Sequence, residues 1–305
     1  MGTLNSGTLH REQIGAADAG RTVVEQLALR HGRASLAEWE ARAAAGEIFL
    51  DGQPTAALVH LRAGQCLAWA RPPWVEPEVP LATAVLFEDG EALAVAKPSG
   101  LPTLPGGGLF QDHTLLALVR RRAPEASPMH RLGRFTSGLV LFATTAAAAG
   151  PLQAAFQRTG TQKTYLALCQ GHPAEDAFEI AAPIGEVPYA PLGRLHAASP
   201  TGRASLSRVR VLERREGASL LEVEIATGRP HQIRIHLAFA GHPLVGDPLY
   251  GPGGLPLPGT CALPGDGGYR LHAWKLDLDH PTTGQRLALR CHPPPPLRPG
   301  GAERA

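Results

Sequence analysis

Long apolar runs, paired cysteines and lysines are scarce in this 305-residue chain. No apolar stretch approaches the roughly 18 residues that a membrane-spanning helix needs, so no membrane association is expected. The N-terminus lacks the basic-then-apolar pattern of a secretory signal. Met1-Gly2-Thr3-Leu4-Asn5-Ser6 matches a loose myristoylation pattern, a match too short to carry weight. The four cysteines, Cys66, Cys169, Cys261 and Cys291, are widely spaced and form no paired metal motif. Reduced thiols in a cytoplasmic protein are the expectation. His231 and His236 are five apart, which is not the one-face spacing of a helical zinc pair, so no metal is expected. The net charge is only +2, and the field of the whole molecule does not announce a nucleic-acid partner.

The length suits one large domain plus a small one. With 44% hydrophobic and 18% charged residues, the composition is that of an ordinary globular protein. Of the 29 basic residues, Lys97, Lys163 and Lys275 are the only lysines, which leaves 26 arginines. Alanine, glycine and proline are abundant too, so a G+C-rich genome accounts for most of them. Inside motifs the guanidinium matters, because it grips phosphate with two donors.

Residues 1–19 show no periodicity and are expected to be loose. Over 20–71 a small unit is predicted. Val23, Val24, Leu27 and Ala28 have helical spacing, and Leu36, Trp39 and Ala43 continue in a second helix capped by Ser35. A strand then enters the Asp51-Gly52 turn. The proline-rich stretch 72–80 is expected to be an extended linker. The large domain is assigned to 81–292 and a disordered Pro/Gly-rich tail to 293–305. Within the large domain, strands are expected near 85–88, 92–96, 139–143, 163–170, 204–212, 220–225 and 271–276, with a last one at 287–289. Helices are expected over 113–122, 151–157 and from Pro230 onward. Gly106-Gly107-Gly108 lacks a following Gly-Lys-Ser/Thr and is expected to be a surface loop.

Four ordered segments stand out. His130-Arg131-Leu132-Gly133-Arg134-Phe135-Thr136-Ser137-Gly138 precedes a buried strand. Lys163-Thr164-Tyr165 opens another strand. Thr227-Gly228-Arg229-Pro230-His231-Gln232-Ile233-Arg234-Ile235-His236 opens a helix. Gly241-His242-Pro243-Leu244-Val245-Gly246-Asp247-Pro248-Leu249-Tyr250-Gly251 follows it. Lys97-Pro98-Ser99-Gly100 and Leu271-His272-Ala273 flank the set. Together they resemble the RluA-type RNA pseudouridine synthases over roughly 81–291. The unit at 20–71 resembles, more weakly, the small RNA-binding S4 domain, with Arg21, Arg30, Arg33 and Arg42 to meet phosphates.

The resemblance implies an α+β pseudouridine synthase fold: a central mixed, mostly antiparallel sheet flanked by helices, plus a small N-terminal S4-like α+β domain. It implies isomerisation of uridine to pseudouridine in rRNA or tRNA, with no cofactor, by a cytoplasmic protein expected to be a monomer. The target base must leave its stack, which calls for an aromatic floor and phosphate-holding bases. In that role the resemblance puts Tyr165 against the base. His130, Arg131, Arg134, Thr136, Lys163, Arg229, His231 and Gln232 would contact RNA. Arg234 would pair with the catalytic aspartate. That aspartate follows His-Arg-Leu in the family, and here the position is Gly133. A glycine there is expected to loosen the loop and to free Arg234 for phosphate. Asp112 and Glu125 are the nearest carboxylates in sequence, and Asp247 belongs to the family in addition to the nucleophile. Two readings stay open: a synthase with an altered catalytic centre, and an RNA-binding relative without catalysis. A hydrolase or nucleotide-binding enzyme has no supporting motif.

Overall fold

The computed structural model describes residues 2–32, 34–106 and 108–300. The chain divides into two compact units, Met1–Glu78 and Val79–Ala305.

In the first unit, helices α1 (Val23–His31) and α2 (Leu36–Ala44) each begin with a capping box, Thr22 with Glu25 and Ser35 with Glu38. They pack Val23, Val24, Leu27, Trp39 and Ala43 against a sheet core of Ile48, Leu67 and Trp69. That sheet runs β2 (Thr8–Gln13), β5 (Cys66–Arg71), β3 (Ile48–Leu50), β4 (Gln53–Pro54). The β3–β4 turn has Asp51 at φ 50 and Gly52 at φ 83, the two left-handed positions an Asp-Gly hairpin supplies.

Two expectations fail here. Residues 1–19 are not loose: β2 pairs along its length with β5, and β1 (Thr3–Leu4) pairs with β6 (Val75–Glu76). The side chains that help these pairings are polar, Asn5 on Glu76 and His10 on Trp69, so no apolar alternation betrays them. For the same reason the expected linker is partly a strand, and the division falls after Glu78. Three of the arginines expected to meet phosphates are engaged within the unit. Arg21 and Arg30 pair with Asp18, and Arg42 covers the Trp39 ring at 4.4 Å. Arg33 lies outside the described residues.

The second unit is built on one ten-stranded sheet. Its main path starts with β12 (Ala177–Ile180), β15 (Ser207–Arg215), β16 (Ala218–Ile225) and β11 (Gln162–Gln170). It continues through β19 (Leu271–Asp279), β10 (Ser137–Ala143), β8 (Ala92–Lys97) and β7 (Ala84–Glu88). β20 (Arg286–Arg290) adds to β19, and β9 (Ser127–Pro128) to β10. All these pairings are antiparallel except β10–β19, so the sheet is mixed and mostly antiparallel. β10 is buried along its whole length. Its alternate residues serve two cores. Leu139, Leu141 and Ala143 meet helix α4 (Ala146–Gln157), while Val140 and Phe142 lie in the core with Leu115 and Val119 of α3 (Leu115–Arg120). Ile233 and Leu237 of α5 (Gln232–Phe239) pack on the β11–β16 end.

Helix α4 starts five residues before the expected Pro151, at Ala146, because Thr145 caps a run of good helix formers and the proline is tolerated inside. β13 (Ile184–Tyr189) and β14 (Gly193–Ala198) form a separate hairpin. The Gly/Pro-rich stretch 252–268 holds β18 (Leu255–Pro256), paired with β17 (Tyr250–Gly251). In the stretch expected to be a disordered tail, residues 293–300 carry a short 3-10 turn, and Leu297 is buried with Leu166 and Leu220. Residues 301–305 lie outside the described residues.

Candidate active site

The loop that enters β10 is fastened from below by the segment that leaves β8. Lys97 Nζ donates to the carbonyls of Pro98 (3.0 Å), Leu101 (2.7 Å) and Arg134 (2.9 Å). Ser99 Oγ donates to Phe135 O at 2.8 Å, and Thr103 Oγ1 to Leu132 O at 2.9 Å. Burial, with Arg134 nearby, lowers the Lys97 pKa to about 7. Gly133 therefore does not loosen the loop. Its φ lies outside the left-handed region, and its carbonyl accepts from Thr136 N. The glycine that geometry demands is Gly138, at φ +114, where an added Cβ would meet the Ala273 nitrogen at 2.5 Å. The neighbouring Ser137 Oγ donates to His272 Nδ1 at 2.9 Å, with His272 Nε2–H held by Cys291 O at 3.1 Å. Much of the motif thus joins β10 to β19.

Helix α5 begins later than expected. Pro230 precedes it, and His231 is its N-cap in the left-handed conformation at φ 54. Gln232 is buried. Its carbonyl oxygen accepts from Thr227 Oγ1 and Arg229 N, and its amide donates to Leu206 O and Ser207 Oγ. This side chain ties the helix start to β15 and is not available to RNA. His236 is likewise enclosed by Ser205, Ser207 and Ala182 O.

Arg234 is not free for phosphate. It closes a bidentate pair with Asp247, Nε–Oδ2 2.7 Å and Nη2–Oδ1 2.8 Å, and its Nη1 donates to Pro264 O at 3.1 Å. Burial opposes the charge, yet the hydrogen bonds and charge of Asp247 win, and the Arg234 pKa is raised. Asp247 Oδ1 also accepts from Leu249 N and Tyr250 N. So this carboxylate is committed to structure and does not replace the missing nucleophile.

Tyr269 spans the gap between Arg234 and Gly133. The Arg234 guanidinium lies 4.2 Å from its ring centroid, and its hydroxyl is 3.3 Å from Thr136 Oγ1. A Cβ on Gly133 would stand 2.9 Å from that hydroxyl. The loop before Tyr269 is fitted to the same place, since a Cβ on Gly267 would run into the Phe135 ring at 2.5 Å. Beyond Arg234, His231 Nδ1 and Tyr250 Oη are 2.7 Å apart, and Tyr250 donates its one hydroxyl hydrogen to His196 O. His231 Nδ1 must therefore carry the proton of that contact. Burial, then Arg234, pushes the His231 pKa down to about 3, and Arg131 adds to the shift. Arg131 is exposed and has no hydrogen bond or ion pair among the described residues.

Tyr165 sits on β11 opposite Ala273, directly after a bulge between Thr164 and Tyr165. It packs against both the core holding Leu132 and the core holding Tyr269, and burial pushes its pKa up to about 12. Gly133 and Arg234 thus flank Tyr269, and Tyr165 packs against the core to which Tyr269 belongs.

Other expected RNA contacts lie elsewhere or are occupied. His130 stacks on Phe156 at 4.8 Å, accepts from Leu141 N, and burial lowers its pKa to about 3. Lys163 Nζ lies over the same Phe156 ring at 4.1 Å. Arg134 Nε donates to Gly100 O, Thr136 is buried, and Arg229 donates to Ala204 O. Glu125 accepts from Ala146 N at the start of α4, away from this cluster. Lys97 and Tyr250 lie in motifs read from the sequence but without an assigned role, and Tyr269 lies outside those motifs. The usable signal is scarcity: the chain has four tyrosines, and two of them, Tyr250 and Tyr269, face the Arg234 guanidinium, 5.0 and 4.2 Å from their ring centroids.

The sheet carries a clamped His-Arg-Leu loop, a half-buried strand tyrosine and a buried arginine, the residues whose motifs resemble those of RNA pseudouridine synthases, with glycine at the place of their carboxylate. The model of the family described as RNA pseudouridylate synthase matches residues 91–239. An uncharacterized RNA pseudouridine synthase of Synechocystis sp. is 44% identical over 85% of this chain and 89% of its own. RNA pseudouridine synthase 5 of Arabidopsis thaliana is 37% identical over 96% of this chain and 94% of its own. The solved structure of human RNA pseudouridylate synthase domain containing 1 superposes with a TM-score of 0.57 at 27% identity, covering 73% of this chain and 89% of that one. The chain belongs to the RNA pseudouridine synthase family, of the RluA type.

Among the described residues no helix is long and apolar enough to cross a membrane, and no group of three or more His, Cys, Asp or Glu is placed to hold a metal ion.

Proposed function

We propose that this protein isomerises uridine to pseudouridine in a structured rRNA or tRNA, acting in the cytoplasm as a monomer and without a cofactor. The target base leaves its stack and lies against Tyr165, while Arg131 holds the displaced backbone. The small N-terminal unit acts as an S4-like RNA-binding domain. The observation that carries this reading is the clamp on the His130–Gly138 loop by Lys97, Ser99 and Thr103. A loop held at the carbonyls of Leu132, Arg134 and Phe135 is built to present Arg131 and residue 133 at fixed positions. A chain needing only loose contact with RNA has no use for such precision.

The second reading, an RNA-binding relative without turnover, is favoured by Gly133, because loss of a covalent nucleophile can cost on the order of 10⁶-fold in rate. Deleting the gene and mapping pseudouridine across cellular rRNA and tRNA separates the two. Loss of one or a few pseudouridines is expected. An unchanged map removes the isomerase reading and leaves the RNA-binding one.

A further inference from the structure

Residue 133 and the Tyr269 hydroxyl crowd one another. A Cβ on Gly133 would stand 2.9 Å from the Tyr269 hydroxyl, nearer than a side chain tolerates, although the backbone at Gly133 would accept one. The tyrosine hydroxyl thus occupies the room from which the family's aspartate would project. Gly133 is exposed, so no side chain at that position covers the hydroxyl. The ring is fixed by the Arg234 guanidinium at 4.2 Å, which is itself locked to Asp247. The hydroxyl makes one hydrogen bond among the described residues, to Thr136 Oγ1 at a long 3.3 Å. A buried tyrosine that served packing alone would be expected to have a shorter, fuller partnership.

We propose that the Tyr269 hydroxyl replaces the missing carboxylate as the oxygen that attacks the sugar of the target uridine. The proposal rests on the isomerase reading above. A tyrosine oxygen can form covalent intermediates and is known to serve as a glycosyl nucleophile. Tyr269 Oη bonds to C1′ as the C1′–N1 bond breaks, and the bond's electron pair leaves with uracil. The hydroxyl proton passes to the departing uracil, which becomes neutral. The base then turns so that C5 faces C1′. C5 forms the new bond to C1′ while the C1′–Oη bond breaks and its electron pair returns to the phenolate. The C5 proton restores the hydroxyl. Uridine and pseudouridine are isomers, so atoms and electrons balance without any co-reactant.

The test uses the full chain with rRNA and tRNA purified from the deletion strain. Three variants are compared with the natural protein: Tyr269→Phe, Gly133→Asp and the two combined. Conversion and RNA retention on a filter are both measured. Tyr269→Phe is expected to lower kcat by roughly 10³-fold or more with retention unchanged. Gly133→Asp alone is expected to be poor, because its side chain crowds the tyrosine hydroxyl. The combined variant, with room for the carboxylate, is expected to exceed both singles. If Tyr269→Phe converts RNA within about tenfold of the natural protein, the tyrosine is not the nucleophile, while the isomerase reading survives. If Tyr269→Phe loses retention together with activity and the combined variant stays inactive, the tyrosine is structural and the proposal is wrong. If the natural protein converts no RNA at all, the isomerase reading fails and takes the proposal with it.

Discussion

Arg234 and Asp247 form a closed pair: two parallel hydrogen bonds of 2.7 and 2.8 Å join side chains that are 3% and 1% exposed. Such a pair is costly to break from one side, because the remaining charge is left buried and unpaired. Asp247→Ala is expected to destabilise the protein by about 3–5 kcal/mol in urea melts. Arg234→Met combined with Asp247→Leu should recover part of that loss. Recovery stays incomplete because Leu249 N and Tyr250 N lose their acceptor. Equal stability of the single and double variants would show that the pair does not behave as a unit.

Lys97 gives the loop clamp a pH signature. Its pKa in the folded protein is about 7, against an ordinary value of 10.5, with burial as the main cause. A lowered lysine pKa means that the unfolded chain binds more protons between these values. Stability contributed at this site therefore rises with pH from about 7 toward 10.5, by up to about 1.4 kcal/mol per pH unit. Urea melts of the natural protein and Lys97→Met at pH 6.5 and pH 9 check it. The stability difference should shift toward the natural protein at the higher pH, and a constant difference contradicts the burial argument.

How far the sequence could be read depends on what each residue is for. The strands of the large unit follow from apolar spacing, and the motif order points to the family. The roles of the motif residues do not follow. Gln232 and His130 are polar letters in an RNA-binding motif, yet the first ties α5 to β15 and the second accepts from Leu141 N. Polar side chains that bind backbone look the same in a sequence as those that bind RNA. Tyr269 was hidden for another reason. Its contact with the loop spans more than 130 positions and lies at the end of a Gly/Pro-rich stretch without periodicity. The N-terminal strands were missed because most of their side chains are exposed and the ones that join them to their partners, such as His10 on Trp69 and Asn5 on Glu76, are polar.

The two half-buried histidines His130 and His231 offer a direct titration test. Burial lowers both His130 and His231 to about 3, from an ordinary 6.5. A lowered histidine pKa contributes stability that is present above 6.5 and is lost as pH falls toward 3. At pH 5 the imidazole nitrogens of both should still show neutral nitrogen-15 shifts. His231 should carry its proton on Nδ1, facing Tyr250. Tyr250→Phe removes that acceptor and should scramble the tautomer. A protonated His231 signal at pH 5 in the natural protein would falsify the shielded arrangement.

Arg131 and Tyr165 should fail differently when changed. Arg131 is exposed and unengaged among the described residues, so its charge is available to phosphate. Arg131→Ala is expected to weaken RNA retention evenly across RNA sequences and to reduce the salt dependence of binding by about one unit. Tyr165 carries no charge at any working pH, since its pKa is pushed up to about 12. Its contribution should come from its ring. Tyr165→Phe should keep most of the affinity for a target uridine, and Tyr165→Ala should lose about 1–3 kcal/mol with the salt dependence unchanged. Binding isotherms at two salt concentrations separate the pair. If Tyr165→Ala changed the salt slope, or Tyr165→Phe cost as much as alanine, stacking would not be what this strand tyrosine supplies.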